Sequence, residues 1–324
     1  MVVESILNIQ DLNVHFRTTN GQIQAVRRLN LFIPKNKITG VVGESGSGKT
    51  QTFLSLFGLS QASQVSGKAE FNGVDLLSLS KSELNKIRGR DISFVFQDPM
   101  SALNPYMNVG AQILETILAH QSLSKPQAVH LAEELLLSVK MNDPRAVMKK
   151  YPHQLSGGQQ QRIIVAMAIV NEPKLIIADE PTTALDVSIQ AEILELIQDI
   201  HKSHSTSIVL ITHDLGVVAQ LCDYVTVMYA GQIVEQSITS QFFSNLKHPY
   251  SQALMASVPK FDMNQDDLFP IPGQPPVLDH EIKGCPFAPR CPHVMAVCTV
   301  KEPSMISVAP NIMAACHLYP QGAS

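Results

Sequence analysis

One stretch constrains this chain more than any other: Gly43-Glu44-Ser45-Gly46-Ser47-Gly48-Lys49-Thr50. It follows an apolar run that starts at Ile38 and ends in Val41-Val42. Gly43, Gly46 and Gly48 let the backbone curl so that successive N–H groups face one point. A helix predicted from about Lys49 turns the positive end of its dipole to the same point. Strand, glycine loop and helix in this order form a cradle for phosphate, and an α/β sheet is the architecture that carries it. In such a loop Lys49 reaches the β- and γ-phosphates of a nucleotide, and the Thr50 hydroxyl holds Mg²⁺.

Two later apolar runs fit the same sheet. Leu175-Ile176-Ile177-Ala178 reads as a strand buried on both faces, and it ends in the carboxylates Asp179 and Glu180. The carboxyl end of a parallel strand is where α/β sheets place ligands. Asp179 suits a Mg²⁺ shell, and Glu180 suits polarising an attacking water. A second run, Ser207-Ile208-Val209-Leu210-Ile211-Thr212, ends in His213-Asp214 and brings His213 to the same edge as a γ-phosphate contact.

A rarer motif stands between them. Leu155-Ser156-Gly157-Gly158-Gln159 precedes a helical stretch from residue 159 to about 170, which Asn171-Glu172-Pro173 terminates. It is a second helix N-terminus offering a hydroxyl and N–H groups to an anion. One protomer needs one phosphate loop, so a second anion site implies a phosphate bound between two protomers. On these motifs the chain resembles the ATP-binding cassette (ABC) family over nearly its whole length. The resemblance implies an α/β fold, with a P-loop core sheet and a helical subdomain at about 98–170. It also implies ATP as substrate with Mg²⁺, and two cassettes packed head to tail. Ser156, Gly157, Gly158 and Gln159 of one cassette then close over ATP held by the partner's loop. Gln97 in Phe94-Val95-Phe96-Gln97 matches the glutamine that contacts Mg²⁺ or water and opens the segment facing the membrane partner. Ala184-Leu185-Asp186 matches the loop that signals across the dimer. Phe16 matches the aromatic that stacks on adenine, although its alternation with Leu12 and Val14 equally suits a strand core residue.

Composition is consistent with an ATPase working beside a membrane. The 24 Lys and Arg against 28 Asp and Glu give a net charge of −4, with no polybasic nucleic-acid surface. Charged residues make up only 16% of the chain, which fits a protein with much surface buried against partners. No run of 18 apolar residues occurs, and the start, Met-Val-Val-Glu-Ser, does not read as a signal peptide. The membrane path is therefore expected from other subunits, with this chain peripheral on the cytoplasmic face of the inner membrane.

Along the chain, residues 6–40 read as alternating strands with a hairpin turn at Thr19-Asn20-Gly21. The loop helix is expected to continue to about residue 60, and strand returns over 66–97 around a short polar helix at 81–88. Ser124 with Pro126, and Asp143 with Pro144, mark two helix starts. The last core strand is placed at 224–228. The cassette is expected to span 1–247, followed by a small irregular extension, 248–324. In that extension His248-Pro249-Tyr250 opens a helix with Leu254 and Val258 on its apolar face, and a Pro- and Gly-rich linker runs from Pro270 to Pro276. Four of the five cysteines follow, at Cys285, Cys291, Cys298 and Cys316, while Cys222 reads as a small buried residue.

The extension, together with Phe96-Gln97-Asp98-Pro99 and Leu103-Asn104-Pro105, resembles the ATP-binding subunits of oligopeptide and dipeptide importers; nickel importers share much of it. Two membrane permease subunits, an extracytoplasmic substrate-binding protein and an identical or paralogous ATPase are the partners this implies. The cysteine spacing C-x5-C-x6-C-x17-C matches neither the usual zinc nor the common ferredoxin pattern. Four thiolates can hold zinc, with His293 or His317 as a substitute ligand, or an iron–sulfur cluster; the resemblance implies [4Fe–4S]. A cassette ATPase acting on ribosomes or DNA is opposed by the single uninterrupted cassette without a heptad arm, and a metal-binding regulator by Glu180 and His213.

Overall fold

Leu12, Val14, Val26 and Leu29 alternate with polar neighbours and are fully buried, which is why the first two segments pair as a half-buried ribbon. The strands are β1 (Ser5–Thr18) and β2 (Gly21–Pro34), antiparallel with Thr18 opposite Gly21. The computed structural model describes residues 4–19, 21–98, 102–183, 185–257, 271–280 and 282–320. Asn20 of the expected turn, Pro99, Ala184, Val258 and Pro270 lie outside the described residues. The chain divides into two units, one of residues 1–34, 38–78 and 211–324, the other of residues 35–37 and 79–210.

In the first unit, β3 (Ile38–Val42), β4 (Gln64–Phe71) and β5 (Val74–Asp75) continue the chain order. One sheet runs β2-β1-β4-β5. All five residues of β3 are buried, and β3 lies parallel to β9 (Tyr224–Tyr229), as expected for an apolar central strand. The loop helix spans Lys49–Leu56, four residues shorter than its apolar pattern suggests. Gly58 takes φ +55, its N–H bonds Ser55 O, and the Leu59 N–H bonds Leu54 O, a left-handed cap that ends the helix although Leu59 is apolar.

The strand at 224–229 is not the last. Beyond it the chain adds β10 (Gln232–Ile238), and the extension contributes β11 (Ile306–Ala309) and β12 (Ile312–Ala314), giving the order β11-β12-β10-β9-β3. The extension is therefore partly sheet, with Glu235 opposite Ala314.

In the second unit, β6 (Ile92–Val95) pairs in parallel with β7 (Leu175–Asp179), and β8 (Ser207–Ile211) follows in the order β8-β7-β6. Every residue of β7 and β8 is buried. Among the described residues the expected helical segment includes the α-helices Val109–His120, Lys125–Ser138, Pro144–Lys149 and Gly157–Ile169. Asn108 and Asp143 cap two of them by side-chain bonds to Ala111 N and Ala146 N. At Ser124 the backbone N–H bonds the Gln127 side chain at 3.0 Å.

Candidate nucleotide site

The loop after β3 has the backbone its glycines predict. Gly43 stands at φ +152 and Gly48 at +98. A Cβ on Gly43 would lie 2.2 Å from Met228 O, and one on Gly48 2.5 Å from Ala25 O, so neither position admits a side chain. Lys49 is buried and curls its ammonium into the loop, donating to Gly43 O at 2.8 Å and Glu44 O at 2.9 Å. Ser47 N–H closes the turn on Glu44 O at 3.2 Å, and Thr50 follows on the first helical turn. A glycine-walled cradle, a buried cation and a hydroxyl at a helix start suit a nucleotide phosphate with Mg²⁺. Beside residues 44–47 opens a hollow of about 180 Å³ walled by Ile23, Ala25 and the extension's Pro275, Pro276 and Leu278. A larger cavity of about 380 Å³ meets Cys285 and Glu302, but Arg28 and Gln232 already hold that carboxylate, so it does not serve phosphate.

Phe16 sits opposite Ile23 and is half-buried, unlike Leu12 and Val14, so it does not belong to the closed core of the ribbon. His213 is exposed just past the end of β8.

The second unit carries the carboxylates. Asp179 ends β7 and is buried; Glu180 follows with φ +45, a left-handed backbone that a non-glycine residue adopts at a cost of about 1–3 kcal/mol. Its carboxylate accepts from Gln97 Nε2 at 2.9 Å and from Thr183 Oγ1 at 2.8 Å. Gln97 and Glu180, singled out separately in the sequence, thus meet. Thr183 was not singled out: three residues after a strand end, it carries no pattern of its own.

Ser156 caps the helix Gly157–Ile169, accepting from Gln159 N–H at 3.3 Å while the Gln159 side chain accepts the Ser156 N–H at 3.1 Å. The helix begins two residues before the expected 159. Gly158 is there for close packing, because a Cβ would lie 2.5 Å from Ile189 Cγ2 on the helix Val187–His204. Asp186 precedes that helix without a side-chain cap, and the adjoining Val187 is 83% exposed.

The extension reaches the loop from within the first unit. Tyr250 OH accepts the Glu44 N–H at 2.8 Å, and Arg290 forms a two-pronged ion pair with the Glu44 carboxylate at 2.8 and 2.9 Å. His248 caps the helix Pro249–Ala256, its Nδ1 accepting the Tyr250 N–H at 3.0 Å. The cap follows from the His248-Pro249-Tyr250 helix start, whereas the two contacts to Glu44 have no local sequence signal.

The cysteines do not close on a metal. Among the described residues no three His, Cys, Asp or Glu side chains are gathered closely enough to hold one, so neither cluster nor zinc is supported at Cys285, Cys291, Cys298 and Cys316. Burial pushes the Cys285 thiol up to about 11, against a bond from the Phe287 N–H, and the nearby Cys298, Cys316 and Cys291 add to the rise. Burial likewise raises Cys291 and Cys316, opposed by the His293 and Leu318 N–H groups. Cys222 is buried as expected, its thiol pushed up to about 12 by burial.

Comparison with known proteins agrees with this geometry. The profile of ABC transporter proteins matches residues 26–183, and that of the oligopeptide/dipeptide transporter C-terminal region matches residues 234–298. The oligopeptide transport ATP-binding protein OppD of Escherichia coli K12 is 46% identical over 314 residues, 97% of this chain and 93% of that protein. The dipeptide transport ATP-binding protein DppD of Bacillus subtilis 168 is 48% identical over 299 residues, 91% of this chain and 89% of that protein. The solved dimeric ATP-binding cassette MJ0796, bound to ADP and Pi, superposes with a TM-score of 0.65 at 26% identity, covering 72% of this chain and 98% of that one. Cradle, capped signature helix, acidic strand end and extension thus occur together in one matched chain, and it belongs to the ATP-binding proteins of the ABC transporter family, in the branch that carries the oligopeptide/dipeptide C-terminal region.

Proposed function

We propose that this chain hydrolyses ATP to drive a peptide importer, as one of two ATPase subunits on the cytoplasmic side of a membrane. The observation that carries the hydrolytic reading is Glu180, held in a left-handed backbone with Gln97 and Thr183 on its carboxylate. Residues 43–50 bind the phosphates, Lys49 balances their charge, and Phe16 stacks on adenine. Glu180 orients the attacking water, and His213 contacts the γ-phosphate. Thr50, Asp179 and Gln97 are the residues that would hold Mg²⁺, which would supply charge neutralisation for the phosphates. Ser156, Gly157, Gly158 and Gln159 close over ATP bound by the mate, identical or paralogous, and Asp186 lies at that junction. The segment around Gln97 passes the movement to two permease subunits, and an extracytoplasmic binding protein delivers the peptide. No described helix is long and apolar enough to cross a membrane, so the membrane path is assigned to the permeases. The similarity falls on oligopeptide and dipeptide proteins, and nothing in it favours nickel.

Residues 248–324 act as a module added to the cassette of residues 1–247. Its four cysteines supply the soft donors that a [4Fe–4S] cluster or zinc takes, and N–H bonds to sulfur are contacts such thiolates accept. Iron, sulfide and zinc assays on anaerobically purified protein decide between these groups and free thiols. The hydrolytic reading is tested by Glu180→Gln, which should bind ATP with turnover nearly abolished; turnover at the parental rate removes Glu180 from the mechanism.

A further inference from the structure

We propose that Arg290, in the C-terminal extension, is a positioning residue of the nucleotide site, holding Glu44 and through it the first turn of the phosphate loop. The inference rests on the reading of residues 43–50 as that loop.

Arg290 has five N–H donors, and each has an acceptor. Two take the Glu44 carboxylate at 2.8 and 2.9 Å, one takes Tyr229 OH at 3.2 Å, and the others take Pro272 O at 2.9 Å and Ile271 O at 3.3 Å. Its side chain is 3% exposed, with the guanidinium 5.8 Å from the Tyr229 ring centre and 5.9 Å from that of Phe287. A long cation is seldom buried so fully unless its geometry is fixed by planar, two-pronged pairing.

Glu44 is where the loop leaves Gly43, and it is pinned at three places. Arg290 takes the carboxylate, Tyr250 OH takes the N–H at 2.8 Å, and the carbonyl accepts from Ser47 N–H and from the Lys49 ammonium at 2.9 Å. The carboxylate fixes the side chain, the side chain fixes the peptide, and the peptide carbonyl sets where Lys49 lies. Arg290 thus acts on the phosphate-binding cation through one intermediate residue. It is set on a single 3-10 turn, Ala288–Arg290, between Cys285 and Cys291, with Ala288 N–H on Cys285 O at 3.0 Å.

A purely structural Arg290 would tie down the extension and affect only melting. The two roles separate by measuring ATP affinity and melting temperature together on the full chain. Arg290→Met and Glu44→Gln should each weaken ATP binding about tenfold, the effect of losing one charge-assisted contact. The double variant should bind no more than twofold worse than the weaker single, because both act through one pair. Arg290→Lys, which keeps charge but not the fork, should fall between parent and Arg290→Met, and KM for ATP should rise more than kcat falls. If Arg290→Met does not fold, Arg290→Lys and Glu44→Gln carry the test. Folded variants that bind ATP within twofold of the parent, or losses that add in the double variant, overturn the proposal. A parent that binds ATP no better than Lys49→Ala overturns the phosphate-loop reading instead.

Discussion

His248 is 1% exposed, and its ring is used from both sides. Nδ1 accepts the Tyr250 N–H as a helix cap, the backbone of Ala315 bonds the ring, and the His248 N–H reaches the Glu235 carboxylate at 2.7 Å. Burial pushes its pKa down from 6.5 to about 3. Above pH 6.5 the ring is neutral whether or not the chain is folded, and its contribution to stability is complete. Below that pH the unfolded chain takes up a proton that the folded chain refuses until about pH 3, so stability falls with pH through that window. Between pH 7 and pH 5 the linkage is worth about 2 kcal/mol. Burial raises the Glu235 pKa, which has the opposite sign and adds stability as pH falls, so the parent alone gives only a sum. His248→Asn keeps a capping acceptor and cannot be protonated, and subtracting its pH dependence isolates the ring. Hydrogen exchange of the peptide 248–257, corrected for the intrinsic pH effect, reads the local opening energy. The parent should lose about 2 kcal/mol more than His248→Asn over this range. A difference below about 0.5 kcal/mol, the usual error of such comparisons, would refute a buried neutral histidine.

Two glycine substitutions give separate outcomes. Gly48→Ala forces a Cβ to 2.5 Å from Ala25 O at φ +98, where a side chain costs about 1–2 kcal/mol before the clash; ATP affinity should fall at least about tenfold while circular dichroism stays unchanged. Gly158→Ala meets Ile189 Cγ2 at 2.5 Å and should destabilise by about 1–3 kcal/mol. Calorimetry should show much of that loss restored in Gly158→Ala/Ile189→Ala, since the truncated side chain removes the clash.

The loop, both acidic residues and the capped signature helix were legible because each is local. Glycines at fixed offsets, short apolar runs and a serine three residues before a glutamine specify backbone without distant partners. The loop helix ends earlier than its pattern implies because Leu59 continues the apolar periodicity while the Gly58 backbone stops the helix. The strands β10 to β12 have no clear sequence pattern for related reasons: β11 and β12 are short, and β10 carries a buried acidic residue, Glu235, satisfied by N–H groups of Lys247 and His248. His-Pro-Tyr was readable as a helix start, whereas the reach of Tyr250 to Glu44 spans 206 residues and that of Arg290 spans 246, with no periodicity to announce them. Cysteine spacing names soft donors but does not set where the side chains point, and among the described residues no three metal-ligating side chains are gathered.

The measurement that bears most directly on this account is sedimentation of the Glu180→Gln protein with Mg-ATP, alone and mixed with a paralogous ATPase. The account predicts a complex of two ATPase chains that needs ATP, disappears when Lys49→Ala is combined with loss of the matching lysine in the mate, and weakens when Ser156 is replaced by arginine. Sedimentation as single chains under all these conditions, with ATP demonstrably bound, would contradict it.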